Sequence, residues 1–403
     1  MRGMTELPAP SRAAGLARLA DFAPRMGHAY AAGRNHDPGP GARRDVSLLS
    51  AHIRHRLVTE REAVAAALAR HSPQAAEKFI QEVFWRTYWK GWLEQRPAIW
   101  ARFIAERDAA LAAPPEGYEA ALRGETGIAC FDAWARELTE AGWLHNHARM
   151  WFASIWIFTL RLPWALGADA FLRHLLDADA ASNTLSWRWV AGMQTRGKHY
   201  VARAENIARH TGGRFDPRGQ LDEDPAPLDD GPAPPLSPVP PPDAPPAGPV
   251  VLLLHEDDLH PESLDLGAAR VVAVAGVAVP EARSPLGAAP PAMAFAEAAM
   301  QDALSRAAAH FAAPARRVAV ADVAAFAAEA GARAVVMPWT PVGWTAGALA
   351  PLRGVLAARG IALHVVRRDW DSLCWPHATR GFFAFRERIP ALCEALVRSP
   401  AAA

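Results

Sequence analysis

The chain has 403 residues, of which 51% are hydrophobic and 21% charged, and its formal net charge is +1. This length is too great for one typical core and predicts two globular domains. No apolar run is long enough to cross a bilayer, and no opening basic segment leads into an apolar one, so we expect neither membrane span nor signal peptide. The three cysteines, Cys130, Cys374 and Cys393, are far apart in sequence. We therefore expect no disulfide framework, no bound metal and a cytoplasmic location.

Residues 1–218 are predicted to form a mostly helical domain. They hold eleven of the fifteen tryptophans, and 29 Lys and Arg against 22 Asp and Glu. The basic excess permits a polyanionic partner, although ordinary charge scatter explains it equally well. Thr59 and Glu62 predict a capping box at the start of one helix. A long helical segment beginning at Asp132 is expected to end near Pro163.

The rest of the chain divides into a linker and a second domain. Residues 219–249 contain twelve of the 35 prolines, which predicts an extended linker. Residues 250–403 alternate short apolar runs with helical stretches, which predicts a Rossmann-like α/β domain with a parallel sheet covered on both faces. The predicted strands are 250–255, 270–274, 317–320, 334–337 and 362–366, and the predicted helices are 292–311, 323–330 and 346–359. No glycine-rich dinucleotide fingerprint follows a predicted strand.

The strongest candidate for a functional site is a group of two carboxylates, one amide and two indoles: Asp177, Asp179, Asn183, Trp187 and Trp189. A folded protein does not bury an aspartate without a partner, and Arg149 is the candidate partner. The alternative is the first turn of a helix with solvated aspartates.

Two further groups have both a functional and a structural interpretation. Glu82, Trp85 and Trp89 share one face of a predicted helix, where a carboxylate beside indoles could bind a stacked base. They could equally belong to an ordinary amphipathic helix. Ser47 and Ser50 are one helical turn apart and could hold a phosphate, although simple helix capping is more common.

Several motifs occur together in one order. They are Thr126-Gly127 with Asp132-Ala133, the segment 142–150 (GWLHNHARM), Trp164 with Gly167, and the segment 177–189 (DADAASNTLSWRW). In this order and approximate spacing, residues 25–217 resemble the flavin-binding domain of DNA photolyases and cryptochromes. The resemblance implies an all-α FAD-binding domain that precedes the α/β domain.

The resemblance also implies which residues contact FAD: Tyr30, Ser47, Ser50, Asn146, Arg149, Asp177, Asp179 and Asn183. By this likeness Arg149 pairs with Asp177 beside the isoalloxazine ring. Asp179 holds the adenine or ribose part. Asn183 faces flavin N5, where a hydrogen bond tunes the redox behaviour of the ring.

Five residues match the positions that line the cyclobutane-dimer pocket of the family: Glu82, Trp85, Asn146, Met150 and Trp189. In the (6-4) branch the Asn146 position holds His and the Glu82 position holds Gln. The chain therefore resembles a deoxyribodipyrimidine photolyase, a carbon–carbon lyase. This implies light-dependent repair of cyclobutane pyrimidine dimers in DNA by electron transfer from reduced FAD. Glu82 is expected to bind the pyrimidine edge, and the two indoles to flank the flipped dimer.

The resemblance names Glu82, Asn183, Trp187 and Trp164 as the catalytic residues. Trp187 and Trp164 match the first two tryptophans of the family's electron-transfer chain. The third falls on Leu111 by the family's spacing, and Trp100 lies upstream. His147 stands where DNA-binding members have a basic residue, which weakens the inference of tight DNA binding.

The order of the domains departs from the family, in which the α/β domain comes first. We therefore expect a circular permutation, with boundaries at 1–218, 219–249 and 250–403. Four late tryptophans could line an antenna pocket or, as we favour, cover the sheet: Trp339, Trp344, Trp370 and Trp375. The alternative functions are a cryptochrome-like blue-light photoreceptor that binds FAD without repair, and a flavin-free structural or DNA-binding module. The sequence identifies no antenna chromophore and no oligomeric state.

Overall fold

Residues 12–210 form a helical unit in the computed structural model, which describes residues 7–398. Helix α4 begins with the predicted capping box, in which Thr59 accepts a hydrogen bond from the Glu62 backbone and the Glu62 carboxylate accepts one from the Thr59 backbone. Helix α11 packs against α5, α9 and α10 around a tryptophan-rich core. The helices are α1 (Arg12–Phe22), α2 (His28–Gly33), α3 (Ser50–Arg54), α4 (Glu60–Leu68), α5 (Glu77–Glu94), α6 (Ala98–Ala112), α7 (Tyr118–Arg123), α8 (Ala129–Ala141), α9 (Asn146–Ser154), α10 (Trp164–His174), α11 (Ala180–Ala191) and α12 (Ala204–His210).

The predicted long helix from Asp132 to Pro163 is divided, which corrects that expectation. Gly142 adopts the left-handed conformation (φ 63°) and ends α8, and α9 begins four residues later. Glycine commonly ends helices in this way because it has no Cβ to clash. After α9 the chain makes a π-helical turn, Ile155–Thr159, and Pro163 directly precedes α10.

The second unit is a parallel five-stranded sheet with the order β3-β2-β1-β4-β5. Val250, Leu252 and Leu254 pack under helix α13, whereas Val251 and Leu253 belong to the core that contains α14 and α16. The chain is thus an α domain followed by a Rossmann-like α/β domain, as predicted. The elements are β1 (Gly248–His255), β2 (Ala269–Val277), α13 (Pro290–Phe311), β3 (Ala315–Arg317), α14 (Val323–Glu329), β4 (Ala334–Pro338), α15 (Trp344–Leu349), α16 (Leu352–Ala357) and β5 (Ala362–Val366).

Two predicted elements of this unit have different bounds in the structure. The predicted helix 346–359 is two helices that meet at Pro351, because proline cannot donate a backbone hydrogen bond in a helix interior. The predicted strand 317–320 is β3, which ends at Arg317 and leads into a 3₁₀ turn, Val320–Asp322. Among residues 7–398, none of the helices combines the length and apolar character that a bilayer crossing needs.

The proline-rich segment follows the surface of both units. Residues 219–247 contain no helix or strand. Asp230 pairs with the buried Arg188 at 2.6 Å, and Ser237 N donates to the Gln95 carbonyl at 2.8 Å. Near its end, Asp243 N donates to the Val365 carbonyl of β5 at 2.9 Å. These contacts hold an extended chain without a core of its own.

After β5 the chain returns to the helical unit as α17 (Asp369–Cys374), α18 (Phe382–Arg386) and α19 (Ile389–Cys393). Trp370 Nε1 donates to Thr87 Oγ1 at 3.0 Å, and Trp339 Nε1 donates to the Glu94 carboxylate at 3.1 Å. Trp375 packs against Gly91 of α5, where an added Cβ would lie 2.8 Å from Trp375 Cα. Three of the four late tryptophans therefore contact α5, and the interpretation that they cover the sheet was wrong for these three.

Buried ion pairs join the two units at the carboxyl end of β1. Arg54 pairs with Asp257 at 2.6 Å. Arg56 pairs with Asp258 at 3.1 Å and with Asp371 at 2.6 Å. Ligands of open α/β sheets bind outside the carboxyl ends of the strands. At β1, side chains from the helical unit occupy that position.

We predict that Glu94 makes the stability of this junction sensitive to pH. Burial raises the pKa of Glu94 to about 7. Hydrogen bonds from Val342 N and Trp339 Nε1 favour the charged carboxylate and oppose this rise. The folded protein then binds a proton that the unfolded chain releases near its ordinary pKa, so this group's contribution to stability falls as pH rises from about 4.5 to 7. Melting temperatures measured across this range should show a smaller decline in Glu94→Gln than in the wild type. Equal declines would contradict the prediction.

Candidate functional site

One cavity of about 600 Å³ opens between α2, α5, α9 and α11. Its wall contains nearly all the site residues predicted from the sequence. They are Tyr30, Ser47, Ser50, Glu82, Trp85, Asn146, Arg149, Met150, Asp177, Asp179, Asn183, Trp187 and Trp189. Trp164 lies outside this lining. Residues from five separate stretches of sequence thus meet around one space.

Asp177 lies in the loop before α11, held by an arginine of α9. Arg149 donates through its Nη2 to Asp177 Oδ2 at 2.9 Å and through its Nε to the Leu144 carbonyl at 3.0 Å. The Asp177 side chain is buried. A buried carboxylate is stable only with such a partner, and the pair fixes the position of both side chains at the cavity wall.

Asp179 caps α11 and also belongs to a buried cluster of charges. Its Oδ1 accepts a hydrogen bond from Ser182 N at 2.8 Å. Its Oδ2 lies 2.9 Å from Arg86 Nη2 and 3.6 Å from Lys90 Nζ. Burial alone would raise the pKa of Asp179, but the charges of Arg86, Lys90 and Arg54 hold it well below its ordinary value. Because both aspartates are buried, the alternative of a solvated helical turn does not describe them.

Helix α11 also presents Asn183 and Trp187 to the cavity. Asn183 Nδ2 donates to the Ala168 carbonyl of α10 at 2.8 Å, which fixes the orientation of the amide. Trp187 packs edge-on against Trp156, with ring centroids 6.3 Å apart. Gly167 of α10 allows this close packing, since a Cβ added there would lie 2.3 Å from Trp187 Cη2.

Helix α5 forms the opposite wall, with Glu82, Trp85 and Trp89 on the same face. The Glu82 carboxylate is 4.0 Å from Arg34 Nη1, and 37% of its side chain is exposed. Burial of the remainder raises the pKa of Glu82, and the charge of Arg34 opposes that shift. Trp85 stacks on Phe382 of α18, with centroids 3.5 Å apart and an interplanar angle of 12°. The chain after the sheet thus holds one wall of the cavity.

Sequence reasoning gave no role to several lining residues, namely Arg34, Arg86, Ser182 and Ser186. Two of them carried a usable signal. Arg34 follows Tyr30, and Arg86 follows Glu82, by one helical turn, so each shares a helix face with a residue that was singled out. In residues 7–398, His, Cys, Asp and Glu side chains form no group of three or more that could hold a metal ion.

Trp164 lies in an aromatic row behind the cavity. Its Nε1 donates to Glu106 Oε2 at 2.7 Å. Its ring lies 5.6 Å from that of Phe103, which lies 5.2 Å from that of Trp100. Trp100 is partly buried at the edge of the core. The row therefore connects Trp164 with Trp100 through Phe103. Leu111, the position given by the family's spacing, lies elsewhere on α6.

Residues 79–222 match the family model described as the FAD binding domain of DNA photolyase. This match supports a relationship of the chain to the DNA photolyase and cryptochrome family. The chain is 35% identical over 176 residues to a deoxyribodipyrimidine photo-lyase of Streptomyces griseus, covering 43% of this chain and 37% of that protein. It is 32% identical over 223 residues to a deoxyribodipyrimidine photo-lyase of Thermus thermophilus, covering 53% and 50%. The chain thus spans half or less of the length of these relatives.

Solved structures give matches of similar extent. A bacterial class III photolyase from Agrobacterium tumefaciens aligns with a TM-score of 0.45 and 27% identity, covering 52% of this chain and 44% of that one. A Synechocystis cryptochrome aligns with a TM-score of 0.43 and 25% identity, covering 50% and 43%.

The cofactor of the photolyase FAD-binding domain is FAD, and the cavity is suited to it. Its volume falls within the range of ligand sites in proteins. Five lining residues carry a buried polar atom without a hydrogen-bond partner among residues 7–398: Asp177 Oδ1, Ser182 Oγ, Trp187 Nε1, Arg34 Nε and Arg86 Nε. Buried polar atoms are normally satisfied. A ligand rich in hydroxyl, phosphate and ring nitrogen groups offers them partners.

Proposed function

We propose that this chain repairs cyclobutane pyrimidine dimers in damaged DNA, using light and reduced FAD, as a deoxyribodipyrimidine photolyase. The observation that supports this proposal is the shared cavity. Residues matched to the flavin side and residues matched to the dimer side line the same space. When bound in its reduced form, FAD supplies the light-excited electron that splits the cyclobutane ring. The chain's own task is to position the two partners and exclude water.

For the flavin side, we infer that the ion pair of Arg149 with Asp177 lies beside the isoalloxazine ring. The Asn183 amide, fixed by the Ala168 carbonyl, faces flavin N5. Asp179 is charged, and its Oδ1 already accepts the hydrogen bond that caps α11. Its Oδ2, together with the cations around it, holds the adenine or ribose part. The further contacts we propose are Tyr30, Ser47, Ser50 and Asn146.

For the dimer side, we infer that Glu82 hydrogen-bonds the pyrimidine edge. Its partial exposure and nearby Arg34 suit a carboxylate that stays accessible to a ligand. Trp85 and Trp189 flank the flipped dimer, with Asn146 and Met150 completing the pocket. A damaged base pair stacks poorly, so flipping it costs little. Trp187 and Trp164 serve the reduction of oxidised flavin.

Repair is tested by illuminating the reduced, FAD-loaded protein with an oligonucleotide that contains one pyrimidine dimer. We expect the dimer to disappear in the light and to persist in a dark control. A yellow protein that leaves the dimer intact would instead favour the cryptochrome-like photoreceptor. The observation that favours this second function is His147, which stands where DNA-binding members of the family have a basic residue. A colourless, flavin-free protein would contradict both.

Glu82→Ala should slow dimer repair about tenfold or more under limiting light, because it removes a charge-assisted hydrogen bond worth about 1.5–3 kcal/mol. FAD content, read from the absorbance spectrum, should not change. Glu77→Ala, on the exposed face at the start of the same helix, is the matched control and should repair at the wild-type rate. Equal repair by the Glu82 and Glu77 variants would remove Glu82 from the proposed pocket.

We also propose that the three segments 1–218, 219–249 and 250–403 are the domains of a circularly permuted photolyase. The extended course of the linker supports this proposal. So does the packing of α17 and α18 on α5, since the chain after the sheet returns to the helical unit. Permutation is tolerated where the joined ends lie on the surface.

A further inference from the structure

Tyr200 lies behind the cavity, between two of its lining side chains. Its ring stacks on Trp189, with centroids 5.7 Å apart and an interplanar angle of 24°. Its hydroxyl oxygen lies 3.3 Å from Nε2 of His147. Trp189 and His147 both line the cavity. The roles proposed above leave Tyr200 without a function.

The neighbours of His147 determine which of its ring nitrogens can accept a proton. Nδ1 lies 3.1 Å from the backbone carbonyl oxygen of Asn35. A carbonyl oxygen can only accept, so Nδ1 carries the ring proton and Nε2 of the neutral imidazole accepts from the Tyr200 hydroxyl. Stacking on Trp151, with centroids 4.4 Å apart, holds the ring in place. The phenol thus faces a fixed and unprotonated base.

The charge states at neutral pH suit this arrangement. Burial lowers the pKa of His147 to about 4, with further lowering by His210, Arg34 and His36 and an opposing hydrogen bond to Asn35. Burial raises the pKa of Tyr200 to about 12. At pH 7 the imidazole is therefore neutral and the phenol keeps its proton.

We propose that Tyr200 is a redox-active tyrosine whose electron leaves through Trp189 and whose proton goes to Nε2 of His147. The oxidant is oxidised, light-excited flavin in the cavity, which gains one electron. The phenolic O–H bond breaks, an N–H bond forms on the imidazole, and a neutral phenoxyl radical remains. A soluble thiolate then returns one electron and becomes a thiyl radical, and His147 returns the proton. This inference rests on the flavin position in the proposed function and adds a one-electron route that, used twice, reduces the flavin before repair.

A second buried tyrosine shows why the imidazole matters. Tyr118 also has aromatic contact with the cavity wall, since its ring lies 6.1 Å from Trp156, which lies 6.3 Å from Trp187. Its hydroxyl, however, accepts a hydrogen bond from Arg173 Nη2 at 3.4 Å. A guanidinium has no lone pair for a proton. Tyr118 therefore has an aromatic contact toward the cavity, but the hydrogen bond at its hydroxyl comes from a cation and not from a neutral base.

The experiment is flash photolysis of the protein loaded with oxidised FAD, followed by transient absorption and electron paramagnetic resonance of the phenoxyl radical. We expect the radical in the wild type and in the matched control Tyr118→Phe. We expect it to be lost in Tyr200→Phe, which keeps the stacked ring. A wild-type radical signal in Tyr200→Phe would overturn the proposal, and so would its loss in Tyr118→Phe alone.

The proton acceptor is tested separately with His147→Gln. Without the imidazole base, radical formation should slow about 100-fold and lose its dependence on deuterated solvent. In the wild type, the rate should fall as pH decreases through about 4, where His147 becomes protonated. An unchanged rate in His147→Gln would show that the imidazole does not take the proton.

Repair with chemically reduced flavin separates this inference from the proposed function. Tyr200→Phe should repair dimers at the wild-type rate once the flavin is reduced in advance. Repair without a tyrosine radical in the wild type overturns the inference alone. A radical that depends on Tyr200, without any repair, overturns the repair proposal alone.

Discussion

Asp179→Ala is expected to lower the free energy of unfolding by about 3–5 kcal/mol, the cost of breaking a buried ion pair by removing one partner. Asp179 is the buried carboxylate that faces both Arg86 and Lys90, at 2.9 and 3.6 Å. Its removal also deletes the cap of α11, which carries Asn183 and Trp187. We therefore expect the variant to lose FAD as well. Denaturant unfolding followed by circular dichroism measures the first effect, and flavin absorbance of the purified protein measures the second.

The pH dependence of this loss follows from the direction of the Asp179 pKa shift. Because the folded-state pKa lies well below the ordinary value of 3.8, the stabilisation is present above that pH and is lost only at lower pH. The difference between wild type and variant should thus be constant from pH 7 to pH 5. Asp229→Ala is the control, since Asp229 forms an exposed pair with Arg196 at 2.7 Å and should leave stability unchanged. Equal stability of the Asp179 variant and the wild type would refute the role of the buried cluster.

Gly167→Ala is expected to destabilise the protein by about 1–3 kcal/mol, although alanine normally favours a helix over glycine. The added methyl group would lie 2.3 Å from Trp187 Cη2 and 3.0 Å from Trp156 Cε2. Both indoles are buried, so neither can move without disturbing the core. Displacement of Trp187 should also weaken FAD binding, because this indole lines the cavity.

The control for this substitution is Gly354→Ala on α16, where an added Cβ meets nothing within 4 Å. There the helix preference of alanine acts alone, so we expect the same or slightly higher stability. Thermal melts and flavin titrations of the two variants make the comparison. If Gly167→Ala has the same melting temperature as Gly354→Ala and binds FAD normally, Trp187 is not tightly packed.

Much of the fold could be read from local patterns in the sequence. The capping box at Thr59 is a four-residue signal, and the apolar runs of β1 and β4 fall almost where they were predicted. The break at Gly142 was missed because the helical periodicity on either side masked a glycine that ends a helix. Such signals fail where two helices meet with little intervening sequence.

The sequence by itself determined the residue types of the site, because Asp177, Asp179 and Asn183 lie within one short motif whose chemistry is unusual for a core. Tertiary structure decided what surrounds them. The Arg86 pair with Asp179 joins residues 93 positions apart, and the Trp85 stack on Phe382 joins α5 to the chain that follows the sheet. The Tyr200 contact with His147 spans 53 positions. Contacts between distant residues leave no mark on local periodicity, so only the packing of α5, α9 and α11 revealed the buried charges and the tyrosine beside its base.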